Sequence, residues 1–146
     1  MKNFASAFFV ALVLLFSQNS IAVGNAEKML HEKLLDLSAL VRSGVNFRDY
    51  STYMPELVVL YDRYERSTPK IEQNFRLQFA KDYFLKAQDK WKRKIEAIGE
   101  NRQRSADLMD KQMESDWDHA FEKLDEYANS IKPAKRAKKE SSSKSN

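Results

Sequence analysis

The chain has 146 residues, of which 42% are apolar and 32% charged, with three glycines, three prolines, no cysteine and a formal net charge of +4. That length suits one domain with a single core. The absence of cysteine excludes disulfides, thiolate metal sites, a thiol nucleophile and the lipidated cysteine of bacterial lipoproteins. The charge is uneven: from Lys132 onward six cations face Glu140 alone, a net +5, whereas residues 23–131 carry 18 cations and 20 anions. The folded part is therefore near neutral, which argues against a dedicated nucleic-acid surface.

Taken in chain order, the first element is a segment for export. Lys2 precedes Phe4–Phe16 (FASAFFVALVLLF), an apolar run that suits a secretory signal and is shorter than the roughly 20 residues needed to span a bilayer. Small residues at Ser20 and Ala22 predict cleavage before Val23, so residues 1–22 are read as a signal peptide. Cleavage after Gly24 or Ala26, or retention as an anchor, are the alternatives. A Cys-free, Lys-rich exported chain fits a bacterial periplasmic or extracellular protein, since exported eukaryotic domains of this size often rely on disulfides.

Residues 23–131 read as one helical domain. Asn25 is a candidate cap for a first helix whose apolar positions are Leu30, Leu34, Leu37 and Val41, and Gly44 stands where a helix ends in a left-handed residue. Asn46 is the next candidate cap, and Phe47 to about Arg66 is the second helix, striped by Tyr50, Tyr53, Leu57, Leu60 and Tyr64. Pro55 inside that stripe predicts a kink or a restart. The stretch Gly44–Tyr53 (GVNFRDYSTY) resembles the turn between the first two helices of small exported bacterial helical proteins. The resemblance covers about ten residues and implies no function.

Thr68 and Pro69 suggest a cap and first turn, which predicts a third helix from about Pro69 to Ile98. Its stripe is Leu77, Ala80, Phe84, Ala87 and Trp91, continued by Ile95 and Ile98. Lys90, Lys92, Arg93 and Lys94 then fall mostly on the solvated face, near the helix C-terminus where cations complement the dipole. Gly99–Ser105 (GENRQRS) reads as a loop with Ser105 capping the fourth helix; one helix running through Gly99 is the rival. Met113, Trp117, Ala120, Leu124, Tyr127 and Ile131 repeat with the four–three alternation of a coiled-coil seam, and Pro133 ends the helix. Residues 132–146 form a basic, Ser-rich tail without an apolar residue larger than Ala, a composition that predicts disorder. The expected fold is all-α: an up-down four-helix bundle with a long antiparallel C-terminal pair.

Motifs for chemistry are few. A carboxylate–His metal site in the bundle would need two Glu-x-x-His pairs, and the chain has none in that order. Asp116, His119 and Glu122 share a helix face that His31 and Glu32 could approach, but His119 lies beside the apolar seam and is better read as exposed. Phosphate loops, Gly-x-Ser-x-Gly and His-Glu-x-x-His are absent from this sequence. No cofactor, metal or catalytic residue is therefore expected, and the chain is read as non-enzymatic. Two groups are candidates for partner contact. Tyr50, Tyr53, Tyr61 and Tyr64 could line an aromatic surface for a protein partner, or pack in the core with hydroxyls at the rim. Lys132, Lys135, Arg136, Lys138 and Lys139 could meet anionic envelope surfaces, or simply solubilise the chain.

The expected function is that of an exported helical binding protein, with weak chaperone-like holding of envelope proteins as one form. An adaptor or inhibitor with one defined protein target is the alternative, and a metal-dependent helical-bundle enzyme a distant third.

Overall fold

The computed structural model describes residues 24–132; the expected signal peptide and all of the basic tail beyond Lys132 lie outside them. Helix occupies 86% of the described residues, which include no strand. The four helices are α1 (24–42), α2 (Phe47–Ser67), α3 (Phe75–Gly99) and α4 (Gln103–Ile131). They form the expected up-down bundle, with α3 and α4 packed along most of their lengths.

Local chemistry accounts for most of the helix ends. α1 is helical from the first described residue, so Asn25 lies inside it and not at its cap. Gly44 ends α1 at φ +84°, a left-handed conformation that costs glycine no Cβ clash. Asn46 caps α2 by accepting from the Asp49 amide (3.0 Å), and its own side-chain amide donates to the Asp49 carboxylate (2.7 Å). α2 runs unbroken through Pro55, which is exposed, so there is no restart.

The next two ends depart from the sequence expectation. α3 begins at Phe75, not Pro69, and its cap is Asn74, whose side chain accepts from the Arg76 amide (3.1 Å). Residues 68–74 instead form a tight turn. Thr68 closes α2 through its amide to the Tyr64 carbonyl, and the Gln73 side-chain amide donates to the carbonyls of Glu65 and Thr68. These bonds satisfy carbonyls left free at the end of α2, a stronger demand than the preference of Pro for a first turn. The α3–α4 loop is shorter than expected. Gly99 is the last residue of α3, and Asn101 takes the left-handed position at φ 59°. The Arg102 amide bonds the Ala97 carbonyl (2.8 Å) and the Asn101 amide the Ile98 carbonyl (3.0 Å), the Schellman pattern with Asn in place of Gly. α4 therefore starts at Gln103, and Ser105 lies within its first turn.

The helix pairing can be read from cross-helix contacts. Arg76 meets Glu126, Tyr83 stacks on His119, Lys90 pairs with Asp116 and Lys94 with Asp110, so α3 is antiparallel to α4. Tyr50 meets Trp91, Lys81 covers the Tyr61 ring and Tyr64 binds Asn74, so α2 is antiparallel to α3. One core joins all four helices: Leu30, Leu34 and Leu37 of α1; Tyr50, Leu57 and Tyr64 of α2; Leu77 and Phe84 of α3; Ala120, Leu124 and Tyr127 of α4.

Two faces of α3 divide its work. Leu77, Phe84 and Trp91, seven residues apart, form the row that reaches α2, where the Phe84 carbonyl and the Trp91 ring both meet Tyr50. The Phe84 and Trp91 rings also pack on Phe121 and Trp117 of α4. Tyr83, Lys90, Lys94 and Ala97 follow α4. Ile98 is the next heptad position in the first row, but the continuous core stops at the level of Trp91 and Trp117. Ile95 and Ile98 are therefore about half exposed, while Ala97 and Ala106 stay buried in the α3–α4 seam. The expected stripe is present; the helices that would cover its end are not. Ile131, last of the α4 stripe, is likewise exposed, and both tryptophans are only partly buried.

Candidate functional site

The tyrosine-rich face of α2 is mostly interior. Tyr50 and Tyr64 are fully buried and Tyr61 nearly so; only Tyr53 remains partly accessible. The Tyr50 hydroxyl donates to the Phe84 carbonyl (2.8 Å) and accepts from the Trp117 indole (3.3 Å). Around it Trp91 and Trp117 meet edge to face (5.5 Å), and Phe47 packs on Trp91 (5.7 Å). Burial among these rings pushes the Tyr50 phenol well above its ordinary pKa. At the opposite end, the Tyr64 hydroxyl accepts from the Asn74 amide (2.5 Å), and the Tyr127 hydroxyl donates to the Glu27 carboxylate (3.0 Å). Tyr61 and Tyr53 lie under the ammonium groups of Lys81 and Lys33, at 3.7 and 4.3 Å from the ring centres. Three of the four candidate tyrosines thus serve the core and tie helices together, so α2 does not present them as a contact surface.

The cation stretch Lys90–Lys94 also divides. Lys92 and Arg93 are exposed, as expected of a solvated face. Lys90 and Lys94 are not on that face: each is partly buried and paired at 2.5 Å across to α4, with Asp116 and Asp110. The correction has a simple cause. These lysines fall on the side of α3 that meets α4, and long apolar stems let an ammonium leave a seam to reach a carboxylate. Asp116 is itself buried and paired with Lys90, whereas His119 and Glu122 are exposed.

The histidines stay apart. His119 is exposed, stacked on Tyr83 (5.0 Å), with Nδ1 against the Ser115 carbonyl (2.5 Å). His31 packs on Tyr127 (4.6 Å), and burial lowers its pKa against the opposing pull of Glu32 and Glu27. Among the described residues no three His, Asp or Glu side chains gather in a metal-binding set. Open depressions lie on the surface of the described residues. One, of about 440 Å³, is lined by Val59, Arg63, Arg66 and Ser67, and one of about 360 Å³ by residues of the α3–α4 tip including Arg93 and Met109.

Of the basic candidates, Lys132 is the last described residue, exposed and bonded to Asn129 (3.0 Å); Lys135, Arg136, Lys138 and Lys139 lie outside the described residues. Sequence reasoning missed a different group. Ile71, Phe75 and Phe79 are exposed at the α2–α3 turn, where the expected third helix would have made Ile71 helical. Asn74 held the signal, because an asparagine just before the apolar spacing starts is a helix cap.

Comparison with known proteins adds no relative: no family model, no curated protein and no solved structure matches the chain. Among the described residues no helix is long and apolar enough to cross a membrane.

Proposed function

We propose that this chain is an exported, non-enzymatic helical binding protein that holds other envelope proteins through weak contacts, in the manner of a chaperone. The supporting observation is the exposure of large apolar side chains at both ends of the bundle, in addition to Leu35, Val58 and Val59 along its side. Ile71, Phe75 and Phe79 are exposed at one end, and Ile95 and Ile98 at the other. Grouped apolar exposure of this kind suits binding, whereas scattered single residues need no explanation. The charged side chains between them are mixed in sign, as weak and unselective holding requires. The basic stretch from Lys132 to Lys139 adds a salt-sensitive attraction to anionic envelope surfaces.

Aggregation of an unfolding model protein, followed by light scattering, tests the holding activity. A stoichiometric excess of this chain should delay aggregation, and an unchanged time course rejects the reading. A pull-down from envelope extract separates the alternative of an adaptor or inhibitor, which would return one partner tightly instead of many weakly. Such an adaptor would use the exposed ends, since α2 keeps most of its tyrosines inside. Metal analysis of the purified protein tests the enzyme reading. Export is tested by N-terminal sequencing of the product recovered outside the cytoplasm, which should begin at Val23.

A further inference from the structure

The geometry points to the end of the bundle that carries the α2–α3 turn as a docking surface for an anionic lipid bilayer, with Ile71, Phe75 and Phe79 entering it. Ile71 is 94% exposed, Phe75 51% and Phe79 45%. Phe75 and Phe79 stand four residues apart on α3 with rings edge to face at 5.9 Å, so they form one ridge that continues the apolar tip at Ile71. The turn beneath Ile71 is built. The Glu72 amide bonds the Pro69 carbonyl (2.8 Å), and Gln73 clasps the carbonyls of Glu65 and Thr68. An isoleucine held out at the top of such a turn loses little further freedom on inserting into an apolar phase.

The chain itself says what lies beyond this end. Glu27 of α1 touches Tyr127 of α4, and Tyr64 of α2 touches Asn74 at the start of α3, so all four helices bring a terminus here. Residue 24 and Lys132, where the described chain begins and stops, are therefore at this end too. The sequence that follows Lys132 supplies Lys135, Arg136, Lys138 and Lys139. Within the described end the charges are mixed, with a small cationic excess. Lys70 and Lys132 leave one cation in excess over Glu72, and Arg76, whose guanidinium lies 4.7 Å over the Phe75 ring, pairs with Glu126. The net positive charge that would meet an anionic surface thus begins with Lys70 and Lys132 and grows along the sequence that follows, while the turn supplies the insertion. A second copy of the chain fits less well, because three side chains at a bundle tip fall far short of the about 800 Å² per partner of a stable protein interface. The inference rests on the exported reading only for which membrane is met; vesicle binding needs no export, and cell fractionation tests export separately.

A chain without cysteine allows a direct test. Ile71→Cys and, at the opposite tip, Arg104→Cys are each labelled with a fluorophore sensitive to polarity, in protein recovered with its processed N-terminus determined. With phosphatidylglycerol–phosphatidylcholine vesicles the label at position 71 should shift to the blue and the label at 104 should not. High salt, or phosphatidylcholine alone, should remove the shift. In co-sedimentation, Ile71→Asp combined with Phe75→Asp should lower the bound fraction by at least about 10-fold, because a charge replaces apolar surface at the inserted tip. Its melting temperature should remain unchanged. The proposal is overturned if the protein pellets with vesicles while the label at 71 stays silent, or if both labels shift alike. It is equally overturned if the label at 71 responds to protein concentration without vesicles, which would make the occupant a second copy.

Discussion

Tyr50 concentrates the chemistry of this core in one side chain. Its ring packs against Trp91 and Trp117, and its hydroxyl is bonded on both sides inside the core, to the Phe84 carbonyl and the Trp117 indole. Tyr50→Phe should cost about 1–2 kcal/mol in urea unfolding, since it leaves a donor and an acceptor without that partner but makes no cavity. The same burial has a consequence for pH. The folded chain holds the phenol protonated above its ordinary pKa of 10.0, while the unfolded chain lets it ionise there. Stability is thus fully present below about pH 10 and falls as pH rises toward the raised folded value, by up to about 1.4 kcal/mol per pH unit for each such tyrosine. Tyr61, Tyr64 and Tyr127 are shifted the same way. Urea midpoints measured from pH 8 to 11 should drop steeply above about 10, and Tyr50→Phe should make that drop shallower. An equal slope in both proteins would show that Tyr50 is not the titrating group. The tyrosine spacing on α2 was plain in the sequence. That the hydroxyls would find internal partners was not, because those partners sit on α3 and α4.

At the scale of the element, the α3–α4 pair is aligned by polar contacts that no stripe of apolar residues reveals. Lys90–Asp116 and Lys94–Asp110 bridge the seam in antiparallel order. Asp116→Ala should cost about 1–3 kcal/mol, less than a fully buried pair because Lys90 retains some solvent, yet real because it leaves an ammonium partly desolvated. The double substitution Lys90→Met with Asp116→Leu should recover stability to within about 1 kcal/mol of the parent, the usual result when both partners become apolar. If the double variant is as unstable as the single one, the pair is not what aligns these helices. Capping is the second local determinant. Asn74→Ala should cost about 1 kcal/mol by removing the bond to the Arg76 amide, whereas Ser105→Ala, at the position first suggested for an N-cap, should cost almost nothing.

For the whole molecule, the extent of the shared core decides which apolar residues matter. Phe84 is fully buried where α3 meets the other helices, and Phe84→Ala should cost about 3–5 kcal/mol. Ile95→Ala and Ile98→Ala, on the same helix, should each cost less than about 1 kcal/mol, because neither side chain leaves water completely on folding. Thermal or urea unfolding of the three variants checks the contrast. The core runs from Ala26 to Tyr127, so truncation after Ile131 should leave helical content and melting temperature nearly unchanged while weakening attraction to anionic vesicles.

The all-helical class, the four helices and the main core positions were legible in the sequence, because 3.6-residue spacing and turn chemistry act over a few residues. Leu30, Leu34, Leu37, Leu77, Phe84 and Leu124 are buried as their spacing requires, and Gly44 and Asn46 end and start helices as their side chains dictate. The tertiary structure alone decided the rest. It placed Tyr50 and Tyr64 inside, drew Lys90 and Lys94 into a seam, left Ile95 and Ile98 uncovered and exposed Ile71 with Phe75 and Phe79 at a common end. The physical reason is the same in each case: a helical face becomes core, seam or surface according to which partner helix reaches it, and that reach depends on the lengths and register of all four helices together.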